Sequence, residues 1–157
     1  MATESRKNME QALKKSFVPD LRALGFKGSF PHFRRTKENS IDLLTFQFYS
    51  AGGSFVVEIG QCPLKGFTNA AGILTPANEV TVAHVFPRLR LGSSHEAGRS
   101  DHCFEFGEPN YLPAKTYTRE HYQLVAKTAA SFIPNQASIW WAAGEFNHQV
   151  RQSAALE

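Results

Sequence analysis

The chain is poor in the residues that usually announce a chemistry. It has two cysteines, Cys62 and Cys103, too few for the disulfide framework of a small secreted domain. No CxxC, HxxxH or HExxH spacing occurs, so no ready-made metal site is present and none is expected. There is no P-loop, no dinucleotide fingerprint and no nucleophile elbow, so no nucleotide or other cofactor is expected. No apolar run approaches the ~18 residues of a membrane span. The first 25 residues carry Arg6, Lys7, Lys14 and Lys15 but no apolar stretch of signal-peptide length. Internal repeats and low-complexity segments are also missing. Together these absences point to a cytoplasmic protein with reduced thiols.

What is present is ordinary globular material. Hydrophobic residues make up 42% and charged residues 20% of 157 positions, enough to build a core without staples. Thirteen phenylalanines make that core Phe-rich. The final Leu156-Glu157 pair reads as the remnant of an expression tag, leaving 1–155 as a single expected domain. The net charge is +3, and the basic excess lies in residues 1–40. Such an excess can attract an acidic partner or nucleic acid; the plainer explanation is a solvated helix face and a charged hairpin edge.

The first element is a helix over about 4–24, with Met9, Ala12, Leu13, Phe17, Leu21 and Leu24 on one stripe. Pro19 should kink or restart it, and Gly25 should stop it. Extended runs follow at 30–36, 41–50, 54–61, 79–91 and 103–106. Between them, "PLKGFTNAAGILTPAN" (63–78) reads as a long loop, the kind that often carries function, or as one hiding a helical turn. Thr118 caps a helix with an apolar stripe of Tyr122, Val125, Ala126, Ala129, Phe132 and Ile133. Pro134-Asn135 should break it, and a second helix over about 137–151 should present Ile139, Ala142, Ala143, Phe146 and Val150. The order of elements predicts an α+β fold: an N-terminal helix, a mostly antiparallel, curved sheet of about five strands, and two C-terminal helices packed on one face.

Strand alternation assigns side chains to faces. With Gly52-Gly53 as a two-residue turn, Ala51 would face Ser54, Phe48 would face Val57 and Phe46 would face Ile59, forming the core face. Tyr49, Gln47 and Thr45 would then lie opposite Val56, Glu58 and Gly60. With Glu38-Asn39 as the preceding turn, Arg35 faces Asp42 and Phe33 faces Leu44. The rival register would turn His32 and Arg34 toward the core, which the burial of charge disfavours. The second face then carries His32, Arg34, Thr45, Gln47, Tyr49 and Glu58, a set able to bind a polar or anionic ligand. An antiparallel sheet with helices on one face also leaves a polar face in water without any such role.

Other residues offer less. In "SDHCFEF" (100–106), Asp101, His102 and Cys103 stand together, with Cys62, His84 and His95 elsewhere, but His102 and Cys103 point to opposite faces of a strand. "FPRLRLG" puts Arg88 and Arg90 on one face, either a phosphate-binding extension or the charged outside of an edge strand. With Lys27, Arg34 and Arg35 they form the candidate nucleic-acid surface. Trp140 and Trp141 cannot both sit at the centre of a helical stripe, so one belongs to its margin or to a protein interface.

"FVPDLRALGFKGSFPHFRR" followed by "LLTFQFYSAGGSFVVEIG" resembles domain-of-unknown-function family 4304. The resemblance rests on Leu21, Gly25, Phe26, Lys27, Phe33, Arg34, Phe46, Gln47, Phe55, Val57 and Gly60, about residues 17–60, and continues more weakly through Arg88–Gly92 to Phe106. Cys103-Phe104 stands where the family has a tryptophan pair. The resemblance implies an α+β fold and a bacterial-type cytosolic protein, and no activity. Three functions are therefore open: a binding domain for a protein partner, expected first; a weak nucleic-acid binder; and an enzyme acting on a small polar or anionic substrate at His32, Arg34, Tyr49 and Glu58, for which no catalytic residue is assigned.

Overall fold

The computed structural model describes residues 3–94 and 101–144. Helix α1, Glu4–Ser16, begins at Thr3, whose hydroxyl accepts a hydrogen bond from the Arg6 amide. The chain then restarts as α2, Val18–Ala23, with Pro19 in the first turn, where its missing N–H leaves nothing unpaired. Met9, Ala12, Leu13, Phe17 and Leu21 are buried as the periodicity requires, whereas Leu24 stays exposed. Gly25, at φ +94°, ends the helical region.

Among the described residues the main sheet is antiparallel and has six strands. Strands β1 (Lys27–Ser29), β2 (His32–Thr36), β3 (Ile41–Phe48) and β4 (Ser54–Cys62) pair in sequence order. The far side of β4 pairs with β7 (Leu89–Arg90) and, nearer the hairpin, with β8 (Phe104–Glu105). A small hairpin of β5 (Gly66–Thr68) and β6 (Leu74–Pro76) stands apart. The chain closes with helix α3, Arg119–Ala130, a π-helical turn at Ile133–Ala137 around Pro134, and helix α4, Ser138–Ala143. Thr118 caps α3 through the His121 amide.

Four of these observations correct the sequence expectation. The β3–β4 pairing has Phe48 opposite Phe55, Phe46 opposite Val57 and Thr45 opposite Glu58. The turn is therefore two residues longer than a Gly-Gly turn, closing with the Tyr49 amide on the Ser54 carbonyl. An even slip keeps every side chain on its expected face. Residues 79–91 are not a strand: Val82–His84 is a 3₁₀ turn closed by a reciprocal Thr81–His84 cap, and only Leu89 and Arg90 pair. Residues 63–78 form the β5–β6 hairpin rather than a loop or helical turn. In α4, Ile139 faces solvent and Trp141 faces the core, so the stripe is rotated from the one expected. That helix ends at Gly144, at φ +65°; the expected continuation through Phe146 and Val150, His95, and the Leu156-Glu157 pair lie outside the described residues.

The two sheet faces bury separate cores. The first face packs Phe33, Leu44, Phe46, Phe55, Val57 and Ile59 against α1, α2, α3 and α4. The second packs Ile41, Leu43 and Cys62 against Val80, Val82 and Val85 of the segment that follows β6, which we call the cover. Half of the second face is thus roofed. Gly60 explains how closely: a Cβ built there would lie 2.5 Å from Val85 Cγ2. The cover uses the space that any other residue would fill.

Candidate functional site

The β2–β3 register is the one expected, with Arg35 opposite Asp42, Phe33 opposite Leu44, and His32 opposite Thr45. Because Thr45 lies opposite Glu58 and Glu58 opposite Arg90, the second face carries a transverse ladder, His32–Thr45–Glu58–Arg90, across four strands. Its contacts run along it. His32 Nδ1 is 3.0 Å from Thr45 Oγ1. Glu58 lies between two guanidiniums, with Arg88 Nε at 3.3 Å and Arg90 Nε at 3.7 Å. Gln47 and Tyr49 are exposed on the open side of the ladder.

Arg34 has a different job. Its guanidinium donates to the carbonyls of Ala77 and Val80, the latter at 2.5 Å. It ties the cover to the sheet. Of the six residues expected on this face, the other five line the open margin of its roofed half. Glu58 is already engaged by two cations, and among the described residues no hydrogen bond joins it to His32.

The His32 imidazole is held below its ordinary value of 6.5, first by partial burial and then by the nearby His84 imidazole. Both disfavour the protonated ring. A proton NMR titration should place its midpoint below 6.5. His84→Ala should move it part of the way back, and no movement would separate the two rings.

The nucleic-acid surface expected from sequence is mostly committed elsewhere. Arg34 holds the cover, Arg88 and Arg90 hold Glu58, and Arg35 is paired with Asp42 at 2.7 Å. Of that set, Lys27 and Arg34 make no ion pair among the described residues, and Arg34 is held by two backbone carbonyls. Of the two tryptophans, one lies in the core and the other at its margin. Trp141 is 1% exposed, donates from Nε1 to the Gly60 carbonyl and packs on Phe26. It belongs to the core; Trp140, half-buried against the same core, is the one that reaches solvent.

One cluster was missed from sequence. Asp42 is fully buried, with Oδ2 taking Arg35 and Lys37 (2.7 and 3.1 Å) and Oδ1 accepting from Gln61 Nε2 at 2.7 Å. Gln61 also donates to the Trp141 carbonyl, and its own Oε1 is buried without a partner. The signal was there: in "SIDLLTF", alternation puts Asp42 on the same face as Leu44 and Phe46. Elsewhere, Cys62 is buried and its thiol is pushed up to about 11, mainly by burial. Among the described residues no group of His, Cys, Asp and Glu could hold a metal ion, and no helix is long and apolar enough to cross a membrane.

The family model described as a domain of unknown function, DUF4304, matches residues 17–150. No curated protein and no solved structure matches the chain.

Proposed function

The chain belongs to the DUF4304 family, whose description names no activity, and from the chemistry of its surface we propose that it is a protein-binding module. The contact surface is the β5–β6 hairpin and the cover, bordered by the polar ladder. One observation carries this reading: the segment over residues 64–86 turns Val80, Val82 and Val85 inward while leaving Leu64, Ile73, Leu74 and Phe86 exposed, Ile73 and Phe86 at 63% each. The hairpin is an ordered support for those side chains. Asn69 Oδ1 accepts from the Ala71 and Ile73 amides, and Phe67 and Ala77 anchor the base on the second core. Large apolar side chains displayed on an ordered support are the usual anchors of protein interfaces.

The segment holds one Lys, Lys65, and one Glu, Glu79, so it offers little to a polyanion. The ladder supplies the polar rim that such an interface carries. With both cysteines free, the reading places the protein in a reducing, cytoplasmic compartment.

The test is affinity capture from host lysate, with and without nuclease and at low and raised salt, comparing the natural chain with an Ile73→Asp/Leu74→Asp double variant. A stoichiometric protein retained by the natural chain and lost from the variant is the expected result. Retention that vanishes with nuclease or salt would favour nucleic acid instead. A partner equally well retained by both chains would move the contact surface elsewhere.

A further inference from the structure

On the opposite side of the molecule, α1 and the start of α3 enclose an open cavity of about 240 Å³. Its helical lining follows from spacing. Asn8, Gln11, Ala12 and Lys15 fall on one stripe of α1, and Arg119, Tyr122 and Gln123 on one stripe of α3, with Tyr117 closing one side. The gap exists because the residue α1 buries at the middle of this stripe is the small Ala12.

The lining is one-sided in charge. It contains two cations, Lys15 and Arg119, three amides and two phenols, and no carboxylate. Among the described residues, neither Lys15 nor Arg119 makes an ion pair; the chain's other close Lys and Arg contacts to carboxylates lie elsewhere. The phenols are already oriented: Tyr117 donates to Glu108 and Tyr122 shares a hydrogen bond with Ser5. Among the described residues, the amides of Asn8, Gln11 and Gln123 have no such side-chain partner. Arg119 is also the first residue of a 12-residue helix, the end at which the backbone dipole disfavours a cation and favours an anion. Two unpaired cations, three free amides and two aromatic walls around one concavity match a small molecule with two negative charges.

We propose that this cavity binds a small dianion, a phosphate ester or a dicarboxylate, clamped between Lys15 and Arg119 with the amides of Asn8, Gln11 and Gln123 fixing its orientation. The site is separate from the hairpin surface and does not depend on the protein-binding reading.

Calorimetric titration of the full chain with inorganic phosphate, glycerol phosphate and succinate, at constant ionic strength set with chloride, tests it. At least one probe should bind saturably at one site per chain, and which one does distinguishes the phosphate from the dicarboxylate source. Arg119→Gln and Lys15→Gln should each weaken that binding by about tenfold or more, while Lys27→Gln, an equal loss of charge elsewhere on the surface, should leave it unchanged. Lys15→Arg should retain most of it. Both cations are exposed, so these variants should fold, as unchanged melting would show. Absence of saturable binding by all three probes, or equal weakening by Lys27→Gln, would overturn the proposal.

Discussion

Asp42→Ala should lower unfolding stability by about 3–5 kcal/mol, the range for removing one partner of a buried ion pair. The carboxylate has no contact with water, yet it collects two cations and an amide from three directions. Arg35 and Lys37 come from β2 and the turn after it, and Gln61 from the end of β4. Gln61 passes the connection on to the backbone of α4 through the Trp141 carbonyl. Removing the carboxylate takes away the acceptor for one Gln61 bond while Gln61 Oε1 is already unpartnered, and it leaves the Arg35 guanidinium between Phe26 and Trp141 without its counter-ion.

Asp42→Asn separates the contributions. It retains an acceptor for Gln61 but no charge for Arg35 and Lys37, so it should cost less than alanine. Lys37→Ala should cost at most about 1 kcal/mol, because that side chain is more exposed. Urea unfolding with an unchanged m-value reads all three. A loss below about 1 kcal/mol for Asp42→Ala would mean that the network is not what joins α4 to the sheet.

How much of this was legible in sequence depended on whether a local rule or a long-range contact decided each element. Alternation sufficed for the sheet faces. Phe33, Leu44, Phe46, Val57 and Ile59 share the buried side even though the β3–β4 turn was placed two residues too tight. Gly52 and Gly53 both have φ +82°, but they are the end of a longer turn rather than the whole of it. The β2–β3 register came out correctly because only one option kept His32 and Arg34 out of the core. The cover could not be read this way. Val80, Val82 and Val85 begin like an alternating strand, yet what they satisfy is the surface of Leu43, Gly60 and Cys62, some twenty to forty residues away in sequence.

The same limit explains Arg34 and Trp141. An arginine on an outer sheet face looks like a ligand contact until the carbonyls of Ala77 and Val80 arrive above it. A tryptophan pair looks like an interface until one indole finds the Gly60 carbonyl. The α1–α3 cavity was invisible for a related reason: each of its helical stripes was legible, but the pairing of one against the other was not.

Arg34→Ala and Gly60→Val should both free the cover, and Cys62 is the natural reporter. Arg34 supplies charge-assisted hydrogen bonds to two cover carbonyls. Losing them should weaken cover docking by about 2–3 kcal/mol, which raises the population of the open segment about 30- to 150-fold if opening is local. Gly60→Val acts by bulk. Its Cβ would meet Val85 Cγ2 at 2.5 Å, and a short branched side chain cannot swing aside, so the backbone of the cover must lift.

In a Cys103→Ser background, thiol labelling of Cys62 should be slow in the natural chain and faster in both variants, by about 30- to 150-fold in Arg34→Ala. The pH profile identifies the route. With the cover closed the thiol is pushed up to about 11 from an ordinary value of 9.0, so direct attack would keep accelerating toward pH 11; attack through the open state should level off near 9. The raised value also fixes the sign of the stability effect: Cys62 burial contributes fully below pH 9 and is lost as pH rises toward 11. Equal labelling rates in all three chains would show that Arg34 and Gly60 do not hold the cover. If they do hold it, a protein partner seated on Ile73, Leu74 and Phe86 should slow Cys62 labelling further, because it would bridge the hairpin to Phe86 of the cover that must lift.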